Sequence, residues 1–460
     1  MGVGHIYRSL ALADMIKDDF HTTFVVRSPL KSLRTNILNT CNEIIELDEN
    51  VSPLEESKFL SDTYLSKSDI VVFDGYHFTT EYQKEVKQKE CHLLSIDDIY
   101  DCQFLSDVII NHAPGIEKKL YEGENYTQYC LGFPYALLRK PFLEAARKEK
   151  GLNKNEEQNL FISLGGADPK NDIQKVLETY VTKMDVTKSY IVIGAAYQHG
   201  VSLRAYLEDS NLEYELLQDL GPEDMVFYME KCSRAITAPS TVSLEYLCTG
   251  GNLFLHKIAD NQNYIYNYMT SNGIAAPVHQ ILHSKTSKND VKYIDGKQEM
   301  RYKRLFNSFT LDVKVATNED LMLYYDWANE EEVRNQSYNK EKISLADHTN
   351  WFTKRLNSES SELLILVKDD ASIGQVRFEV KENIATINYS IDKDARGKGY
   401  GEAVIRRAML YLLKNRKDVA EVIGYVKGSN IGSLKTFRAI NFMESNAMEF
   451  PNSKKFTLKI

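Results

Sequence analysis

The most constraining feature of the chain is an alternation of short apolar runs with charged helical stretches, which begins early, restarts once and then stops. Runs rich in β-formers occur at "TTFVVRS", "EIIEL", "DIVVFDGY", "HLLSID" and "DVIINHA", with segments such as "TEYQKEVKQKE" between them. This pattern predicts a parallel sheet covered by helices, with ligands held at the carboxyl ends of the strands. From Leu138, "LLRKPFLEAARKEKGLNKNEEQ" reads as a helix running into a polar connector. The alternation then resumes through "NLFISLGGADPKNDIQKVLETYV", "SYIVIGAAY", "SRAITAPSTVSLEYLCTGG" and "LFLHKIADNQ". Two α/β halves of similar size imply a cleft between them.

The stretch "HSKTSKNDVKYIDGKQEMRYKRLFN" reads as polar and irregular, without an apolar stripe, and is expected to be mainly linker. Beyond it, helical signals give way to the antiparallel-looking strands "LLILVKD", "SIGQVRFEV" and "IATINYSID", then a glycine-rich loop and a long helix. That mixture predicts an α+β unit. The expected divisions are 1–137, 138–282, a linker at 283–309, and 310–460.

Among the 460 residues the formal net charge is −9, which argues against a nucleic-acid binder. Cys41, Cys91, Cys102, Cys130, Cys232 and Cys248 form no C-x-x-C pair and no zinc spacing. Reduced thiols in a cytoplasmic protein without a metal are expected. No apolar run is long enough for a membrane span, and no leader-like segment is visible.

The opening "MGVGHIYRSLALA" sets Gly2, Gly4 and His5 before a stretch of helical period. It reads as a strand-to-helix turn whose amides face an anion, with His5 able to exchange a proton near neutrality. The alternative is a plain glycine turn capped by a histidine. Gly165 and Gly166 in "SLGGADPKN" allow close approach of a ligand to backbone. Ser240 and Thr241 start a helix after Pro239, where hydroxyls and amides suit a diphosphate. Glu245, one turn later, fits ribose hydroxyls or simply complements the helix dipole. Asn261 and Gln262 follow a strand end.

G-x-G-H-x-x-R, Asp74 and Tyr76 in D-x-Y, "YALLR", "SLGGADPKN", S-T-x-x-x-E and "DNQ" occur in this order. Together they resemble the UDP-2,4-diacetamido-2,4,6-trideoxy-altropyranose hydrolases of pseudaminic acid biosynthesis, over residues 1–280. The resemblance implies a glycosyltransferase-B-like pair of Rossmann-like halves. It implies His5 as the base that activates water at the anomeric carbon, with Tyr76 beside it. It assigns Gly2, Gly4, Gly165, Gly166, Ser240, Thr241 and Glu245 to the nucleotide, and Arg8, Asp74, Asn261 and Gln262 to the sugar pocket. UDP would leave with inversion and without a metal. Members of that family begin with a full strand before the glycine loop, whereas Met1 stands where that strand would end. A parallel sheet is expected to need it.

In "INYSIDKDARGKGYGEAVIRRAML", Arg396, Gly397, Lys398, Gly399, Tyr400 and Gly401 form R-x-x-G-x-G between a strand and a helix. Successive amides in such a loop wrap a pyrophosphate. "VIGYVKGSNIGSLKTFRAINF" adds strand, N-x-x-S and helix. Residues 310–460 thus resemble the GCN5-related N-acetyltransferases. The resemblance implies acetyl-CoA as co-substrate, held by Ile391, Arg396–Gly401, Asn430 and Ser433. Phe437 stands where many members carry a proton-donating tyrosine, and phenylalanine has no proton to give. Glu379, Tyr389 and Tyr425 are candidate bases; Trp351 and Arg377 line the acceptor site or, for Trp351, pack the core. The two resemblances imply a bifunctional enzyme acting on a UDP-amino sugar, with no nucleic-acid or membrane partner and an undetermined oligomeric state. The rival readings are a hydrolase for another UDP-amino-dideoxy sugar, a glycosyltransferase, and a non-catalytic sugar-nucleotide-binding protein.

Overall fold

A computed structural model describes residues 3–29, 31–148, 158–283 and 291–460. The first half has parallel strands β1 (Thr23–Arg27), β2 (Glu43–Leu47), β3 (Ile70–Asp74), β4 (His92–Ile96), β5 (Val108–Asn111) and β6 (Gln128–Leu131). β4 and β5 are buried at every position, as expected of strands covered on both faces. The sheet is divided: β1 pairs only with β2, while β3, β4, β5 and β6 form a separate run.

The second half explains the division. Its six parallel strands lie in the order Tyr214–Gln218, Ser189–Ile193, Leu160–Ser163 (β7), Arg234–Thr237 (β8), Asn252–Leu255 and Ala276–Pro277. In chain order this is 3-2-1-4-5-6, a doubly wound sheet whose direction reverses between β7 and β8. The first half follows the same order with place 1 vacant. β1 and β3 border a cavity of about 2240 Å³. Val25, Val26, Ile70, Val72, Phe306 and Phe309 are among its lining. The resemblance to the hydrolase family implies a strand here; among the described residues none fills the place.

Two further expectations change. Helix α1 spans Val3–Ile16, so Gly4 and His5 lie in its first turn rather than in a turn before it. Gly4 is helical, and a Cβ there would meet nothing within 4 Å, so the position does not require glycine. The segment read as irregular holds helix α3 at Gln298–Phe309, after α2 (Thr241–Thr249) in the second half. Tyr302, Leu305, Phe306 and Phe309 fall at i, i+3, i+4 and i+7 and are buried on one side of α3. They join a core cluster containing Leu12, Phe142, Phe161 and Leu410.

The C-terminal unit is a seven-stranded, mainly antiparallel sheet packed with helices. At its centre β9 (Ile384–Ile391) and β10 (Glu421–Lys427) run parallel, but they pair only over Ile384–Thr386 and Glu421–Ile423. Beyond these residues the two strands separate. Helix α4 (Tyr400–Asn415) sends Val404, Ala408 and Leu412 into this unit's core. Its other face docks on the first half. Arg406 donates to Gln128 Oε1 (2.8 Å) and the Tyr135 hydroxyl (3.1 Å), and Lys414 pairs with fully buried Asp107 at 2.8 Å. Asp107 also meets Lys87 at 2.8 Å. Burial opposes ionisation of Asp107, yet His92 and the charges of Lys87 and Lys414 hold the carboxyl far below the ordinary range. The C-terminal unit is therefore seated on the first half through buried charge.

Candidate active sites

The first site lies where β3, β4 and β5 end. Asp74, the last residue of β3, is buried beneath α1. Residues i, i+3 and i+4 of a helix share a face, and here they are His5, Arg8 and Ser9. All three converge on the same carboxylate. His5 Nδ1 lies 2.7 Å from Asp74 Oδ1; Arg8 donates from Nε at 2.9 Å to Oδ2; Ser9 Oγ donates to Oδ2 at 2.7 Å. Burial raises the Asp74 pKa, but the hydrogen bonds from His5 and Arg8 outweigh it and leave the group below the usual carboxylate range. His5 Nδ1 also lies 2.9 Å from Arg8 Nη2, which only donates, whereas the carboxylate only accepts; with the proton on the shorter Asp74 contact, Nε2 is left with the lone pair. An aspartate holding an imidazole this way is the arrangement of an oriented general base.

Arg8 also donates to Asp98 Oδ2 at 2.9 Å. The Tyr76 ring meets His5 edge-on, with centroids 4.8 Å apart. Burial, then the negative charge of Asp98, raises the phenol's pKa.

Three groups here were not singled out from the sequence. Asp98 follows β4. Asp97, whose carboxylate accepts from Ile99 and Tyr100 amides, is pushed up to about 6, chiefly by burial. His112, just past β5, accepts from the Leu137 amide through Nδ1 at 3.4 Å. Burial, then the Arg8 charge, lowers its pKa to about 4, so its ring stays neutral near pH 7. The available signal was position alone: each polar residue directly follows an apolar strand.

The second site is the switch point of the second half. Gly165 and Gly166 follow β7; Ser240 and Thr241 follow β8 and open α2, with Ser240 at the N-cap. Gly165 has φ +98°, in the left-handed region, and a Cβ on either glycine would meet nothing within 4 Å. Neighbouring Gly194 does require glycine, because its Cβ would lie 2.5 Å from Gly166 backbone atoms. Glu245 is buried on α2 and held by Arg139 Nη2 at 2.9 Å. Burial raises its pKa, and Arg139 opposes the rise. The Arg139 guanidinium also lies over the Tyr7 ring at 5.8 Å, connecting α1 to α2. Asn261 is exposed, while Gln262 is half-buried and accepts from the Ile258 amide at 2.9 Å. Across the cleft, the Tyr264 hydroxyl donates to the Gly115 carbonyl at 2.6 Å. Gly2 lies outside the described residues.

The third site is the loop between β9 and α4. Gly397 (φ +74°) and Gly399 (φ +83°) take left-handed conformations that turn the chain tightly before the helix. Lys398 is exposed beside them, Tyr400 begins α4, and Gly401 has only 3.1 Å between an added Cβ and Thr436 Oγ1. The Arg396 side chain points away from a loop ligand. It donates to the Ile391 carbonyl at 3.0 Å and pairs with Glu330 and Glu332, so only its backbone remains for an anion. Helix α5 (Ile431–Ala439) is capped by Asn430, whose Oδ1 accepts from the Ser433 amide at 3.0 Å. Tyr389 is on β9 beyond the paired stretch, and its hydroxyl donates to Ser433 Oγ at 2.9 Å. Phe437 is buried, stacked on Phe456 and edge-on to Tyr389. Of the other candidates, Glu379 pairs with Arg355 at 2.8 Å and the Tyr425 hydroxyl donates to Glu449 at 3.1 Å. Trp351 packs against the Tyr324–Trp327–Phe352 cluster, with the Arg377 guanidinium 4.9 Å from its ring.

Two separating parallel strands, a left-handed glycine loop and a helix N-terminus together suit an extended ligand ending in a diphosphate. Residues 311–443 match the acetyltransferase (GNAT) domain family, so the chain carries a GNAT acetyltransferase domain at its C-terminal end. Across 97% of its length the chain is 23% identical to an uncharacterized protein, MJ1062, of Methanocaldococcus jannaschii, covering 95% of that protein. Over 54% of its length it is 26% identical to the spore coat polysaccharide biosynthesis protein SpsG of Bacillus subtilis, covering 71% of it. Among solved structures, a spermidine N-acetyltransferase from Vibrio cholerae, in complex with CoA and spermine, is 16% identical with a TM-score of 0.31, covering 33% of this chain and 95% of that one. No helix among the described residues is long and apolar enough to cross a membrane.

Proposed function

We propose that the chain is a bifunctional enzyme of nonulosonic (pseudaminic-type) acid biosynthesis, which N-acetylates a UDP-4-amino sugar and then hydrolyses the UDP-2,4-diacetamido-2,4,6-trideoxyhexose to free sugar and UDP. The reading rests on one observation: the same chain holds a histidine–aspartate pair at the strand ends of a two-half α/β unit and a glycine loop beside separated strands. The similarity to a protein named for polysaccharide biosynthesis supports a sugar substrate, and the acetyltransferase domain supports an amine on it.

In the hydrolysis, water attacks the anomeric carbon and its proton goes to His5 Nε2. The bond from that carbon to the phosphate oxygen breaks, and its electron pair leaves with UDP. Amides after β7 and at the start of α2 stabilise the growing phosphate charge. In the acetylation, the sugar amine attacks the thioester carbonyl and loses a proton to solvent or a base. The carbon–sulfur bond then breaks, and the thiolate takes a proton. Tyr389 is the half-buried phenol beside Phe437, and desolvation raises its pKa and so favours the protonated form. We assign it the donor role that Phe437 cannot fill.

The test is to supply the UDP-4-amino sugar with and without acetyl-CoA, following free thiol and UDP. UDP released without any acceptor supports hydrolysis over glycosyl transfer. Tight UDP binding without release would support the non-catalytic reading.

A further inference from the structure

Helix α3 lies outside the matched acetyltransferase residues, yet it packs along α4, whose first turn follows the glycine loop. Arg304 of α3 places Nε 3.8 Å from the point a Cβ would occupy on Gly399. The side chain is 38% exposed, and its Nη1 is 3.6 Å from Glu402 Oε2, too far for a hydrogen bond. Glu402 has a closer partner. Its Oε1 accepts from Arg406 Nε and Nη2, both at 3.1 Å and both buried. Two guanidinium groups thus share one carboxylate, leaving one net positive charge at the start of α4. The helix dipole and Lys398 add to that potential.

We propose that Arg304 binds the diphosphate of coenzyme A, so that a helix outside the acetyltransferase unit completes its co-substrate site. The proposal rests on the acetyl-CoA reading above. A guanidinium matches phosphate oxygens in geometry as well as charge. The contact makes co-substrate affinity depend on how α3 is seated between the first half and the loop.

Isothermal titration of the full chain with CoA and with 3′-dephospho-CoA tests it, using wild type, Arg304→Gln and Arg304→Lys. The glutamine variant is expected to bind both ligands about tenfold more weakly. Lysine should recover part of the loss, and the melting temperature without ligand should be unchanged, because Arg406 still compensates Glu402. Equal affinity of wild type and R304Q would overturn the proposal, as would a loss seen with CoA but not with its dephospho form. Failure of wild type to bind either ligand would overturn the acetyl-CoA reading together with it.

Discussion

His5 Nδ1 sits 2.7 Å from Asp74 Oδ1, with the histidine on the first turn of α1 and the aspartate at the end of β3. The contact ties the orientation of the imidazole to the seating of one helix on one strand. His5→Asn is expected to lower UDP release by roughly 10²–10⁴-fold while leaving acetyl transfer intact. Asp74→Asn should lower release too, since the amide leaves Arg8 without its carboxylate and the imidazole without its anchor. Steady-state assays of the two half-reactions check this; loss of both in H5N would contradict the division of labour.

Tyr389→Phe removes the hydroxyl that reaches Ser433 and leaves the ring in place. Acetyl transfer should fall about tenfold or more, with little change in KM for acetyl-CoA. The fall should come with a flattened alkaline limb of the rate profile, because ionisation of the phenol no longer governs it. Equal kcat values for Y389F and wild type would remove Tyr389 from the mechanism.

His112 carries a sign that can be worked out. Its folded pKa is lowered from 6.5 to about 4, so between these values the unfolded chain holds a proton that the folded chain does not. Stability is then fully present above pH 6.5 and is lost as pH falls toward 4. Thermal melts of wild type and His112→Gln over that range should converge as pH drops. Parallel curves would contradict a His112 that stays neutral in the folded chain. Losses tied to Asp74 fall lower still, because its pKa lies under the ordinary carboxylate value.

Among the described residues, no strand pairs with the facing edges of β1 and β3, and both strands border a largely apolar cavity. A run of about five apolar β-formers fused ahead of Gly2 should join the two sheets and raise Tm by about 5 °C. A charged run of equal length should not. Equal melting temperatures for both fusions would show that the cavity does not accept a strand.

Much of the fold was legible because parallel strands buried on both faces write continuous apolar runs. β4, β5, β7 and β8 were each visible for that reason. Helix α3 is hard to read because its apolar stripe of Tyr302, Leu305, Phe306 and Phe309 is interleaved with Arg301, Lys303, Arg304 and Asn307 and follows a long polar run. Gly4 suggested a turn by type, although the backbone there is helical. The site was legible where motif and strand end coincided, as at Asp74 and Ser240. Asp98 and His112 carry no motif. Their roles arise from the neighbours that folding brings to them, Arg8 above all, which no local spacing encodes.

The central claim is that one chain performs both the acetylation and the release of UDP. The direct measurement is a time course of purified protein with a UDP-4-amino-2-acetamido sugar, recording thiol and UDP together. With acetyl-CoA present, thiol should appear first and UDP should follow in equal final amount; without it, UDP should stay low. UDP appearing at the same rate in both conditions, or thiol released with no UDP at any time, would contradict the account.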